Sequence, residues 1–163
     1  MALRVGITSV LVLDDNRYQQ QVMRIILNGL GVKQIMAAMT VDDALALVKQ
    51  KRFDVVIADY QLGEKSGAEF TRLVRGARDG SERFLPIIAC TADPTPRVIT
   101  DLRDAGADEI LGKPVSQQSV ADRINAVFLA RRKFVSSSSY FGPDRRRRAA
   151  APSGSERRGS RSR

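Results

Sequence analysis

Val10-Leu11-Val12-Leu13-Asp14-Asp15 is a run of four branched apolar residues stopped by two carboxylates. A strand apolar at every position, and not only at alternate ones, is buried on both faces, as strands of a parallel sheet are. Working outward from it, Val22, Ile25, Ile26 and Leu30 recur at helical spacing, with Gly29 and Gly31 as a stop, which predicts a helix over about 16–30. A second, weaker apolar run covers 32–39. Thr40 then caps a helix whose inner face is Val41, Ala44, Leu45 and Val48.

The alternation continues. The run 53–58 reads as a third strand stopped by Asp59, and Ser66-Gly67-Ala68-Glu69 opens a helix with a capping-box pattern and an apolar face of Phe70, Leu73, Val74 and Ala77. Residues 85–90 form a fourth strand, with Pro86 confined to its start. Pro94 and Pro96 open a short helix carrying Ile99, Leu102 and Ala105, and 109–111 is a short fifth strand between Gly106 and Gly112. Val120, Ile124, Val127 and Phe128 mark a last helix running from Ser116 to about Phe134. Five strand–helix units with short connections predict an α/β fold, a flavodoxin-like doubly wound (βα)5 sandwich with a five-stranded parallel sheet in the order 2-1-3-4-5.

Composition narrows the function. The chain has 163 residues, one cysteine and no histidine, so an internal disulfide and the familiar zinc and haem sites are excluded, and a reduced cytoplasmic setting fits. No apolar run approaches membrane-spanning length, and the N-terminal run lacks the small-residue cleavage site of a signal peptide. The net charge of +9 is lopsided: residues 136–163 hold eight arginines against Asp144 and Glu156, leaving +3 for 1–135. The organisation expected is a domain over 1–135 and a disordered Ser/Arg-rich basic tail over 136–163, in which Tyr140 and Phe141 offer too little apolar surface to offset the entropy of ordering.

In the expected strand order, strands one and three are neighbours at the switch point, so Asp14, Asp15 and Asp59 converge at their carboxyl ends. Three close anions call for a hard divalent cation with oxygen ligands, of which magnesium is the natural choice. Thr91 ends strand four, and Lys113 follows strand five just before Pro114. A carboxylate, a divalent cation, a hydroxyl and an ammonium are the parts needed to accept and hold a phosphoryl group on Asp59.

Over about 8–134 the chain resembles the receiver domain of bacterial two-component response regulators. The match places Asp14 and Asp15 at the acidic pair, Asp59 at the phosphoacceptor, Thr91 at the switch hydroxyl and Lys113 at the lysine, with a Lys113-Pro114 bond that is usually cis in the family. The resemblance implies that Asp15, Asp59 and the backbone carbonyl of Gln61 ligate Mg2+ directly while Asp14 acts through water. It also implies that Gln61 and Asp93 set the lifetime of the acyl phosphate. Two positions depart from the pattern. Ile110 replaces the aromatic residue that turns inward on phosphorylation, and Leu62-Gly63 stands where Met-Pro is usual, which predicts a looser loop, with Gly67 retained.

The function implied is a single-domain response regulator. It would be phosphorylated on Asp59 by a sensor histidine kinase and would signal by phosphorelay to a histidine phosphotransfer protein or through its helix four–strand five–helix five face. That face is also a candidate homodimer surface. The expected activity is limited to its own phosphorylation and dephosphorylation. A magnesium-dependent phosphohydrolase is the rival from another class, but such enzymes use a second acid where Gln61 stands; a pseudo-receiver scaffold is the third reading. For the tail, a solvated extension competes with a site for an anionic partner such as nucleic acid, an acidic protein face or lipid headgroups. Tyr140-Phe141-Gly142-Pro143-Asp144 reads as a short docking motif ahead of the arginines.

Overall fold

The structure, a computed structural model, describes residues 2–146. Its order is β1 (Ser9–Leu13), α1 (Arg17–Gly29), β2 (Gln34–Ala38), α2 (Val41–Gln50), β3 (Val55–Asp59), α3 (Gly67–Arg75), β4 (Ile87–Thr91), α4 (Pro96–Ala105), β5 (Glu109–Gly112) and α5 (Gln117–Leu129). The five strands form one parallel sheet in the order β2-β1-β3-β4-β5, the doubly wound arrangement expected.

The period-two geometry of a strand explains why β1 is apolar throughout. Val10 and Val12 join Met23 and Leu27 of α1 and Val120 and Ile124 of α5 in one core layer. Leu11 and Leu13 turn the other way, onto Ala44 and Val48 of α2 and Phe70 and Val74 of α3. A smaller layer seats Val98, Leu102 and Ala105 of α4 on Ala89 of β4. Because both faces are covered, a one-residue slip in β1 would exchange the two layers, so register is fixed by packing.

Local signals set the helix starts. Asn16 accepts from the amides of Tyr18 and Gln19 at 2.9 and 3.1 Å, Thr40 from Asp43 at 3.1 Å and Ser66 from Glu69 at 3.1 Å. Ser116 and Ser119 form a reciprocal capping box on α5. Within α3, Leu73 is exposed, contrary to the expected face; Thr71 and Arg75 are buried instead. In α4, Val98 is buried and Ile99 only half-buried.

The C-terminal boundary also differs. The last helix stops at Leu129, not near Phe134, and Phe134–Ser136 pairs antiparallel with Phe141–Pro143. Residues 136–146 are therefore not a structureless extension. The tail aromatics do not pack alone: Phe134 and Phe141 meet Phe84 of the body with ring centroids 5.3–5.4 Å apart. The guanidinium of Arg83 lies 3.6 Å over Phe141 and that of Arg131 4.5 Å over Phe134. Beneath them Arg75 and Asp108 form a buried ion pair at 2.9 Å, and Asp108 also accepts from the Ile87 amide at 2.9 Å. Arg75 donates further to the carbonyls of Gly106, Arg83 and Leu85, so each of its three guanidinium nitrogens has a partner. Burial pulls its guanidinium down to about 10, against the pull of Asp108, and it remains charged at neutral pH. The rest of the expected tail, 147–163, lies outside the described residues.

Candidate functional site

The site forms where parallel strands end. Leu13 and Ala58 are partners in the register, so Asp14 and Asp15 after β1 emerge beside Asp59 at the end of β3. One oxygen from each of the three carboxylates lies within 4.8 Å of the others. Thr91 and Gly112 are partners in the β4–β5 register, which delivers Lys113 to the same rim next to a cis Lys113-Pro114 bond.

Asp14 is the buried member of the acidic pair. Its side chain accepts from the Asn16 amide at 2.9 Å, and its amide donates to Ala38 at 3.1 Å. The Gln20 amide group donates to the carbonyls of Asp14 and Ala38 at 2.7 and 3.1 Å, tying α1 to the ends of β1 and β2. Neither strut was foreseen from the sequence as part of the site, although an asparagine at the start of a helix is a signal for the first. Asp15 is exposed, so one carboxylate of the pair faces solvent and the other is braced from within.

Lys113 Nζ stands 3.1 Å from Asp59 and 3.4 Å from Asp14. Burial opposes its charge, but the two carboxylates outweigh that and hold the ammonium above the usual lysine range. Burial also pushes the Asp59 carboxyl up; Lys113 pulls it back, and the charge of Asp14 adds to the rise. Cys90, one residue before Thr91, is buried with its thiol pushed up to about 12 by desolvation, so it is a packing residue and not a nucleophile.

The Thr91 hydroxyl is turned away from the carboxylates. It donates to the Asp93 carbonyl at 3.1 Å and accepts from the Asp93 amide at 3.0 Å. Asp93 in turn accepts from the Thr95 amide at 3.0 Å, ahead of α4. Gln61, exposed, begins a two-rung hairpin in which Gln61–Leu62 pairs with Lys65–Ser66. The loosened loop expected from Leu62-Gly63 is not what the structure holds: Leu62 is buried and Gly63 takes a left-handed turn at φ 72°. A Cβ at Gly67 would lie 2.2 Å from the Asp59 carbonyl, so only glycine lets the hairpin return this close to Asp59.

Ile110 is half-buried beside Tyr60 and the α4 layer. Tyr60, which follows Asp59 directly, reaches α4 by itself: its hydroxyl donates to Asp101 at 3.0 Å, and Asp101 also pairs with Arg72. This link was not foreseen from the sequence, because a tyrosine between Asp59 and Gln61 carries no period or spacing that sets it apart.

Hard carboxylate oxygens, one solvent-facing and two braced, suit a divalent cation such as magnesium, and Lys113 offsets the remaining charge. The set can hold a phosphoryl group on Asp59 between a cation and an ammonium. The described residues contain no helix long and apolar enough to cross a membrane.

Comparison with known proteins agrees with this geometry. The chain is 31% identical over 126 residues to the sensor histidine kinase AruS of Pseudomonas aeruginosa, covering 77% of this chain but only 12% of AruS. The chemotaxis response regulator CheY4 of Vibrio cholerae superposes with a TM-score of 0.67 at 27% identity, covering 76% of this chain and all of that one. The receiver domain of sensor histidine kinase PA1611 from P. aeruginosa PAO1, solved with a magnesium ion coordinated in its active-site cleft, gives a TM-score of 0.65 at 25% identity over 75% of this chain and 98% of that one. The family described as the response regulator receiver domain matches residues 10–125, the span that carries every strand of the sheet and every carboxylate of the site. The chain therefore belongs to the receiver domain family of two-component systems.

Proposed function

We propose that the chain is a cytoplasmic response regulator in which Asp59 accepts a phosphoryl group from a phosphohistidine of a sensor kinase or phosphotransfer protein. The observation that carries this reading is the placement of Lys113 3.1 Å from Asp59, with three carboxylates converging beside it. An Asp59 oxygen attacks phosphorus in line as the P–N bond breaks, and the departing imidazole keeps the electron pair and takes up a proton. Asp15, Asp59 and the Gln61 carbonyl would hold Mg2+, with Asp14 acting through water, and the bound ion would supply positive charge to the phosphoryl oxygens.

The protein's own residues supply the rest. Lys113 exchanges part of its pairing with Asp59 and Asp14 for a phosphoryl oxygen. Thr91 leaves Asp93 to donate to another, so the β4–α4 loop that Thr91 now anchors is released with it. Phosphorylation then favours the arrangement in which both contacts are made, and the α4–β5–α5 face changes for a downstream protein, a relay partner or a second copy. Gln61 and Asp93 flank the approach of the hydrolytic water. With Gln61 where a phosphohydrolase carries its second acid, turnover is confined to the protein's own acyl phosphate.

The test is intact-mass measurement after incubation with acetyl phosphate and magnesium. A phosphoryl increment in the wild type that is lost in Asp59→Asn supports the reading. An equal increment in both moves the acceptor elsewhere, and no increment from acetyl phosphate or from a phosphorylated kinase leaves the scaffold reading.

A further inference from the structure

The phosphoacceptor end of the sheet is acidic, and the opposite end is basic. Two grooves open there, at the N-terminal ends of the strands. The first, about 640 Å³, is walled by Arg24 of α1, Lys33 ahead of β2, and Lys51 and Arg52 ahead of β3. The second, about 470 Å³, shares Lys51 and Arg52, adds Lys49 and is closed by Phe84. Lys51, Arg52 and Phe53 line both, so the two grooves adjoin and together make one basic channel surface. Glu82 is the single carboxylate among their lining residues.

None of these five cations forms a salt bridge among the described residues. Asp54, the nearest acid in sequence, is occupied in accepting from the amides of Thr8 and Ser9 at 2.7 and 3.0 Å. Arg24 donates to the Ile35 carbonyl at 3.2 Å and is the one of the four cations in the first groove that is tied to the backbone among the described residues. Phe84 is 47% exposed, and it is the one exposed large apolar side chain in either groove. Its ring also packs on Phe134 and Phe141 of the C-terminal hairpin, and that hairpin leads into Arg145-Arg146-Arg147-Arg148.

We propose that this basic pole is a docking surface for single-stranded nucleic acid, with phosphates along the channel and a base against Phe84. A linear groove lined with cations and interrupted by one aromatic ring suits a flexible phosphodiester strand. A lipid surface would be met by a fringe of apolar side chains, and the channel offers only Phe84. With no element shaped to enter a DNA groove, contact is to the backbone and independent of sequence. The carboxylates at the other pole repel the same polymer, which fixes its orientation on the protein and leaves the phosphoacceptor free. This inference does not depend on phosphoryl acceptance at Asp59.

The experiment is fluorescence anisotropy of a fluorescein-labelled oligothymidylate of about 15 nucleotides, long enough to fill one binding site, titrated with the full-length chain over a salt series. Binding is expected, and Lys51→Glu/Arg52→Glu should weaken it about ten-fold or more and lower the slope of log affinity against log salt by about 1.4, for two lost phosphate contacts. Lys33→Glu/Lys49→Glu should behave alike, and Lys65→Glu, paired with Asp42 away from the channel, should change affinity less than about two-fold. Circular dichroism confirms that each variant is folded. Wild-type affinity in both channel variants would assign binding to the arginine run and overturn the proposal. So would failure of the wild type to bind at low salt, or binding to phosphatidylglycerol vesicles without binding to the oligonucleotide.

Discussion

Lys113 Nζ stands 3.1 Å from Asp59 Oδ1, an ammonium set directly against that carboxylate. Even so, burial leaves the Asp59 carboxyl above its ordinary range. The folded state therefore binds that proton more tightly than the unfolded chain, and ionising Asp59 costs native stability. That cost is absent below about pH 4, the unfolded value, grows as pH rises through the folded pKa, and is complete above it. Asp59→Asn should match the wild-type Tm in acid and exceed it at pH 7 to 8. A variant less stable at neutral pH would mean that attraction to Lys113 outweighs the burial of Asp59.

Lys113 carries the opposite sign. Its folded pKa is raised, so its contribution to stability is full below about 10.4, the unfolded lysine value, and is lost as pH climbs through the folded pKa. Lys113→Ala leaves Asp14 and Asp59 facing each other without the cation between them. A loss of about 1 kcal/mol or more is expected at pH 7, shrinking in alkali, as urea unfolding across pH would show. Magnesium affinity should hold or rise, while any gain in partner affinity on phosphorylation should disappear. Retention of that gain would remove Lys113 from the switch.

With Ile110 at the position where an aromatic readout is usual, the bond from Tyr60 to Asp101 gives a direct polar link between the end of β3 and α4. Tyr60→Phe keeps the ring against the α4 layer and deletes only the hydroxyl. It should cost about 0.5–1 kcal/mol and raise amide exchange in Pro96–Ala105 more than in Gln117–Leu129. Equal exchange in the two helices would mean that α4 is held by packing alone.

The sheet and its carboxylates were legible in the sequence for one physical reason. A buried parallel strand is apolar at every position, so a charged residue can stand only at its end, and 10–13 and 55–58, each followed by aspartate, show that break. Thr91 and Lys113 follow from the same rule. The links among Tyr60, Asp101 and Arg72, and among Arg75, Asp108 and Arg131, are contacts between residues 23 to 41 positions apart, and no local period encodes them. Leu73 and Arg75 show the limit of hydropathy on a helix face. The buried position goes to the arginine because Asp108 and three carbonyls bond it there.

The C-terminal hairpin turns that limit into a measurement. Counted alone, Tyr140 and Phe141 could not offset the entropy of ordering their segment. In the fold, the cost is shared with Phe84 of the body and with Phe134 across the hairpin, and Arg83 and Arg131 cover the rings. Phe141→Ala removes the ring that joins Phe84 and Phe134 and should cost about 2 kcal/mol, below the range for a fully buried phenylalanine because Phe141 is half-exposed. Ending the chain at residue 135 removes the same ring together with the Asp144 carbonyl that accepts from Arg132 and the Arg145–Asp104 ion pair, and should lower Tm by at least as much as Phe141→Ala. Phe84→Ala combined with Phe141→Ala should cost less than the two losses added, since each ring is the other's partner. Additive losses, or a truncated chain that melts with the wild type, would show that the hairpin rests on the body without contributing to its stability.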